Sequence, residues 1–302
     1  MVPCLNRSAF QTFTSRAVSE EHAVPGTMLG MNGWVLNPGV GFATEYQAEA
    51  EAIAATFGTR HGHLLEEIPP GAVVVPRFRA IPFGADLEQE VRLQAATLIN
   101  SYGQHRFAAD LGQWAPVLGE LTPTTWSSVA DIPAEVTGPF IVKGETNSRR
   151  QCWTTHCFAP DRAALEPTLA NLQDDALIGH QHLYIRRYVP LHELLVDWAG
   201  MPISEEYRVF MLDGVELARG FYWANQLPNL TPAGFVPQPE SVPADLLAEV
   251  GRLLVGHIRF VAVDLARTAT DDWIVIEIND GSMAGLCDVD ATALWSSFAA
   301  RL

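Results

Sequence analysis

The sequence predicts an α/β fold of the α+β kind, with helices and strands in irregular alternation and a mixed or antiparallel sheet. Three observations carry that expectation. Two pairs of apolar, β-branched runs, within 205–223 and at 260–265 with 273–278, are each separated by a turn signal and read as antiparallel hairpins. Amphipathic segments of helical length stand before and between them. Neither internal repeats nor low-complexity segments interrupt the pattern.

Residues 43–57 are rich in Ala and Glu and end at Gly58, a helix with its stop. Ala72-Val-Val-Val75 is a strand, set off by Pro69-Pro-Gly71 and ended by Pro76. A second helix is expected over 85–100, where Leu87, Val91, Leu98 and Ile99 share roughly one face. Helical character continues through 104–118 until Leu121-Thr-Pro-Thr-Thr125 breaks it. Phe140-Ile-Val-Lys143 is the next strand, and the polar loop 144–150 follows. A helix at 161–173, a strand at 183–189 and the strand pair around Asp213-Gly214 come next. The segment 228–243 carries five prolines and reads as a long loop. Leu246, Leu247, Val250, Leu253, Leu254 and Ile258 place a helix at 244–258, ahead of the last hairpin.

A chain of 302 residues suffices for one large domain or two modest ones, and 48% hydrophobic with 18% charged residues is an ordinary globular composition. The net charge of -16 repels phosphate backbones and anionic lipid, which argues against nucleic-acid or membrane-surface partners. Any cationic cluster in so acidic a chain is therefore local and purposeful. No run approaches a membrane-spanning length, and Met1-Val-Pro-Cys-Leu-Asn-Arg-Ser8 lacks the apolar core of a signal peptide. Four cysteines make no disulfide framework, so a cytoplasmic location is expected. Cys152-Trp-Thr-Thr-His-Cys157 and His61-Gly-His63 lack a matching second pair at zinc-site spacing, and structural or solvent-facing roles are expected for them.

The last hairpin concentrates oxygen ligands. If its turn centres between Thr270 and Asp271, Asp264 lies opposite Glu277, and opposed residues point to the same side. Asn279, two residues on, shares that side, whereas a slip of one residue would undo the arrangement. Two carboxylates and an amide at a strand end are the ligand types that hold magnesium against nucleotide phosphates. Asn279-Asp-Gly281 is also a good turn by itself, and a carboxylate near a strand end commonly just faces water. Glu277 resists that simpler reading. It interrupts Ile274-Val-Ile276 and Ile278 in a strand that otherwise looks buried, where an unpartnered carboxylate is costly.

The cations come from three other strands. A two-residue Asp213-Gly214 turn pairs Leu212 with Val215, and counting outward sets Arg208 opposite Arg219. Two arginines across a strand pair repel unless an anion separates them, either a phosphate or a neighbouring carboxylate such as Glu206 or Glu216. On the phosphate reading, removing either arginine weakens catalysis and leaves the ligand-free protein folded. Lys143 ends an apolar strand before the loop 144–150, whose Ser148, Arg149 and Arg150 are placed to fold over a ligand as a lid.

The run Glu277-Ile-Asn-Asp-Gly-Ser-Met-Ala-Gly-Leu286 resembles the end of the ATP-grasp fold, whose members close the nucleotide site with an Asp on one strand and Glu-x-Asn on the next. The resemblance extends over most of 105–290. Pro139-Phe-Ile-Val-Lys143 is similar to the strand whose lysine touches the nucleotide phosphates. Tyr184-Ile-Arg-Arg-Tyr-Val-Pro-Leu191 is similar to the strand and hinge whose backbone reads adenine, here at Arg187, Tyr188 and Val189. Arg208 and Arg219 match the family's phosphate and substrate arginines, and Asp264, Glu277 and Asn279 its metal ligands. Two departures stand out. The loop after Lys143 lacks the family's run of glycines, and Arg187 occupies a hinge position often held by an acid, leaving Glu193 as the candidate for the ribose hydroxyls.

The resemblance implies an N-terminal α/β domain over 1–105 and an ATP-grasp domain over 106–302, with two α+β halves gripping ATP. It also implies an ADP-forming carboxylate–amine ligase. Magnesium on Asp264, Glu277 and Asn279 would bridge the phosphates, with Lys143, Arg208 and Arg219 neutralising charge on the transferring phosphoryl group and Ser148 among the nucleotide-binding residues. The expected partners are ATP and small-molecule or peptide carboxylates and amines. A kinase-like phosphotransferase and a non-catalytic ATP-binding module stay open as alternatives. Substrate choice is expected in the N-terminal domain, the loop 144–150 and the loop 225–240.

Overall fold

The computed structural model describes residues 33–36, 46–77, 84–197, 199–224 and 234–302. Its first sheet is parallel and runs in the order β2-β1-β3-β4. It comprises β1 (Gly33–Leu36), α1 (Gln47–Phe57), β2 (His61–Gly62), β3 (Val73–Pro76), α2 (Gly84–Leu93) and β4 (Thr97–Leu98). Trp34, Leu36, Val74 and Val91 fill the space between sheet and helix. The helix expected over 85–100 ends at Leu93. Ala95 turns the chain with φ at 56°, and Thr97 and Leu98 pair with Val73 and Val74 instead. Apolar spacing at 98–99 suited either element, and the neighbouring strand decides it.

Helical character over 104–118 resolves into α3 (Tyr102–Ala109) and α4 (Leu111–Leu118). Asp110 separates them and caps the second by accepting from Gly112 N at 2.9 Å. A second sheet, antiparallel in the order β5-β8-β6-β7, is made by β5 (Thr125–Trp126), β6 (Phe140–Gly144), β7 (Phe158–Ala159) and β8 (Leu183–Arg187). The helix α5 (Arg162–Gln173) covers one face, with Leu165 and Leu172 on Phe140, Val142 and Ile185. Asp161 caps α5 through Ala164 N at 3.0 Å. A small hairpin, β9 (Glu193–Val196) and β10 (Pro202–Ser204), follows.

The third sheet, β12-β11-β13-β14, is antiparallel throughout. It consists of β11 (Glu206–Leu212), β12 (Val215–Phe221), β13 (Phe260–Arg267) and β14 (Trp273–Asp280), with α6 (Ala244–Leu254) between the two hairpins. Strand alternation gives the sheet two faces. Tyr207, Val209, Met211, Val261, Val263 and Leu265 enter the main core with Leu247, Val250 and Leu254 of α6. Arg208, Asp264 and Glu277 are left for the other face. The last helix, α7 (Ala291–Ala299), packs Trp295 and Phe298 on Phe57 of α1 and Phe260 of β13. Most of the expected loop 225–240 and the start of the helix expected at 43–57 lie outside the described residues. Among those described, no helix is long and apolar enough to cross a membrane.

Candidate active site

The register of the last hairpin sets Asp264 opposite Glu277, and Ala262 opposite Asn279, so the three oxygen ligands share one side of the sheet. Two offsets combine to give this. The loop runs from Thr268 to Asp272 between the paired Arg267 and Trp273, which alone would oppose Asp264 with Ile276. A bulge between Asp264 and Leu265 in the ladder leaves Ile276 unpaired and restores the match.

The cations beside these carboxylates are already engaged. Arg208, across the ladder from Asp264, donates Nε and Nη2 to its two oxygens at 2.8 Å each, with Asp264 fully buried. Its Nη1 reaches Gly285 O at 2.8 Å. Lys143, at the far end of β6, pairs with Glu277 Oε1, and Arg150 Nη2 lies 3.7 Å from Glu277 Oε2. Burial pushes the Glu277 carboxyl up, but Lys143 and Arg150 prevail and hold it at about 2. The Arg150 guanidinium sits 5.5 Å from the ring centres of both Tyr222 and Trp223, and Arg208 sits 5.0 Å from that of Tyr222. Burial works against the Arg150 charge, while Tyr222, Glu277 and Glu206 raise its pKa further above the ordinary value.

Arg219 does not face Arg208. A bulge between Phe210 and Met211 shifts the ladder, so Arg208 opposes Gly220 and Arg219 opposes Val209, whose side chain is in the core. One residue of slip moves Arg219 to the opposite face. There it pairs with Glu216 at 2.6 and 3.0 Å and donates to the carbonyls of Pro239 and Val242. The expected repulsion between opposed arginines does not arise, and the carboxylate alternative describes Arg219. Arg149 is paired with Asp175, so of the two loop arginines it is Arg150 that lies beside Glu277.

Two adjoining cavities lie between the second and third sheets. One, of about 160 Å³, has Lys143, Ser148, Arg187, Tyr188, Val189 and Glu193 in its walls, together with Glu277. The other, of about 330 Å³, is lined by Arg208, Asn279 and the segment 283–285 among others. Ser148, Arg150 and Glu277 belong to both, so the charged cluster stands at the junction. Sequence reasoning assigned no part here to Arg186, Tyr222 or Trp223, and considered Glu206 only as a neutralising partner for the arginines. Arg186 is buried, donates to Ile276 O at 2.7 Å and Thr122 Oγ1 at 2.6 Å, and is lowered to about 10 by burial. Its Nε and the indole Nε1 of Trp223 are buried donors without a partner among the described residues, in the wall of the smaller cavity. Alternation along Tyr184-Ile-Arg-Arg187 was the available signal: one arginine of the pair must face inward.

Glu206 opens β11 at 4% exposure, and burial lifts its carboxyl to about 8 against the pull of Arg150. The folded state therefore keeps a proton that the unfolded chain releases near 4.5, and stability declines as pH rises from there to about 8. Glu206→Gln is expected to abolish that decline. Thermal unfolding should show a higher melting temperature than wild type at pH 8 and little difference at pH 4. No gain at pH 8 would contradict the raised carboxyl.

Several solved structures share this fold. D-cycloserine synthetase DcsG is 18% identical with a TM-score of 0.53, covering 89% of this chain and 99% of its own. The ATP-grasp ligase PsnB, complexed with a phosphomimetic variant of a minimal precursor, Mg and ADP, is 13% identical with a TM-score of 0.54, covering 92% and 99%. D-alanine–D-alanine ligase from Bacillus anthracis, complexed with ATP, is 11% identical with a TM-score of 0.50, covering 89% and 94%. No curated protein sequence matches the chain. A family model, an ATP-grasp domain that is family 3 of its clade, matches residues 131–298. That is more than half of the 302 residues, and the chain belongs to this ATP-grasp family.

Proposed function

We propose that the protein is an ATP- and magnesium-dependent ligase that joins a carboxylate to an amine through an acylphosphate, releasing ADP and phosphate. The observation that carries the reading is the charged cluster about the two cavities, where Glu277 with Lys143 and Arg150 stands in the walls and Arg208, in the wall of the larger cavity, is paired with the buried Asp264. The donor set fits the groups proposed. Two carboxylates and the Asn279 amide are hard oxygen ligands, and two side chains in the wall of the smaller cavity carry donors without a partner among the described residues, Arg186 Nε and Trp223 Nε1. Magnesium, when bound by Asp264, Glu277 and Asn279, supplies charge neutralisation between phosphate oxygens.

The backbone at Arg187, Tyr188 and Val189 would receive the base and Glu193 the ribose. Nucleotide phosphates would draw Lys143, Arg150 and Arg208 away from the carboxylates, freeing those oxygens for the metal. A substrate carboxylate oxygen then bonds to the γ-phosphorus as the bond to ADP breaks. Next, an amine nitrogen bonds to the acyl carbon, and phosphate leaves with the amine proton passing to solvent. The cations offset the charge that builds on the transferring phosphoryl group, so positioning and electrostatics suffice without a protein nucleophile. The polar wall of the larger cavity supports a small or peptide-borne polar substrate there. The division into an N-terminal part to 105 and a nucleotide-binding part from 106 belongs to the same proposal.

Hydroxylamine added to enzyme, magnesium, ATP and a panel of acids is expected to trap a hydroxamate while ADP accumulates, with neither product in the presence of a chelator. ADP together with a stable phosphorylated alcohol or amine would instead identify a phosphotransferase. ATP binding with no ADP from any acid or amine would identify a binding module.

A further inference from the structure

The turn that follows Asn279 is held from behind by a residue far away in the chain. Arg77 leaves the end of β3 at 1% exposure. Its Nε and Nη2 donate to the two oxygens of Glu49 on α1 at 2.9 and 3.1 Å. Glu49 in turn accepts from Trp295 Nε1 on α7 at 3.1 Å. The rest of the guanidinium is spent on backbone. Nη1 reaches the carbonyls of Gly281 and Ser282 at 2.6 and 2.9 Å, and Nη2 that of Ala284 at 3.1 Å.

Those carbonyls belong to the segment that starts two residues after Asn279 and walls the 330 Å³ cavity through Met283, Ala284 and Gly285. The next carbonyl along, Gly285 O, accepts from Arg208 on the cleft side. The segment is therefore clasped between two guanidinium groups, one behind it and one in front. Bidentate Glu49 takes two of the five guanidinium N–H donors. The remaining donors are all aimed at three carbonyls of one short turn, a fixed fork that a lysine, with its donors at a single point, does not reproduce.

We propose that Arg77 is a positioning residue for the cleft, acting through the 281–285 turn to hold Asn279, Gly285 and Arg208 in the arrangement that receives magnesium and nucleotide phosphate. Arg77 lies outside the residues 131–298 that carry the family match, so the role extends the machinery into the N-terminal sheet. The proposal rests on the nucleotide reading of the cleft given above.

Two variants test it, Arg77→Lys and the paired Arg77→Met with Glu49→Gln, which leaves no orphaned buried charge and serves if the single variant does not fold. Hydrogen exchange on the ligand-free protein is expected to quicken at the amides of 281–286 while β11 and β13 keep their protection. The dissociation constant for Mg·ADP, measured by calorimetry, is expected to rise about 10- to 100-fold, as when groups that orient metal ligands are lost. Wild-type exchange in 281–286 with wild-type affinity would overturn the proposal. Exchange that quickens evenly over the whole sheet with unchanged affinity would also overturn it, showing a merely structural arginine. If the wild-type protein binds no Mg·ADP, the nucleotide reading fails, while the exchange measurement still decides whether Arg77 organises the turn.

Discussion

Replacing Arg208 by alanine is expected to destabilise the ligand-free protein by about 3–5 kcal/mol, the usual consequence of removing one partner of a buried ion pair. Both oxygens of Asp264 are occupied by Arg208, and Asp264 has no exposure with which to recruit water in its place. Sequence reasoning led to the opposite expectation, loss of catalysis without loss of stability, because it paired Arg208 with Arg219 and a ligand instead of with a buried acid. The two effects separate in a double variant. Arg208→Gln with Asp264→Asn removes both charges, and denaturant unfolding should show most of the lost stability restored. Turnover should stay at least about 10²–10³-fold down, the scale for one preorganised electrostatic contact, since the proposed metal ligand Asp264 is lost as well. Wild-type stability in Arg208→Ala would refute the buried pair, and wild-type turnover in the double variant would refute the proposed role.

Lys143→Met should lower turnover on the same scale, about 10²–10³-fold, if its ammonium faces the transferring phosphoryl group. It carries a second, independent signature. Glu277 is held at about 2, below its ordinary 4.5, so its contribution to stability is present above 4.5 and is lost as pH falls towards 2. Without Lys143 the carboxyl keeps Arg150 at 3.7 Å, while its burial continues to favour the protonated form. Acid unfolding, followed by circular dichroism, should then begin at a higher pH than in wild type. Coincident acid limbs would mean that Lys143 is not the group that lowers Glu277.

The parts of this site that were legible in sequence are those fixed by alternation within one strand. Glu277 declares itself by interrupting Ile274-Val-Ile276 and Ile278, and Asn279 follows at the two-residue spacing that keeps it on the same side. The pairing with Asp264 came out correctly although the turn centre was one half-step off, because the bulge at Ile276 compensated. The same kind of bulge defeated the count on β11 and β12. Asp213 and Gly214 adopt the positive φ values of 49° and 79° that a two-residue turn needs, and the first pair, Leu212 with Val215, is as counted. Arg219 is displaced by the register shift between Phe210 and Met211. A Cβ at Gly220 would collide with the backbone of Asp288 and Val289, so the strand is seated against a segment about seventy residues on, which no local pattern announces. Past Leu286 no element was expected, although Asp290, which caps α7 through Ala293 N at 2.6 Å, and the apolar Leu294, Trp295 and Phe298 mark one.

The internal pairing of the cleft has a kinetic consequence. Arg208 is paired with Asp264, and Lys143 and Arg150 share Glu277, before any ligand arrives. The one surplus positive charge projects little field into solvent against a chain net charge of -16. An anionic nucleotide approaching this surface meets repulsion at long range and no attractive funnel at the mouth, so its encounter rate belongs with unsteered associations, about 10⁵–10⁶ M⁻¹s⁻¹. Raising the ionic strength screens that repulsion and should hasten capture, the reverse of what a basic cleft would show. Neutralising part of the nucleotide's charge with a divalent ion before it docks has the same effect, so the order of arrival, metal with nucleotide and not metal after it, is favoured already in the approach.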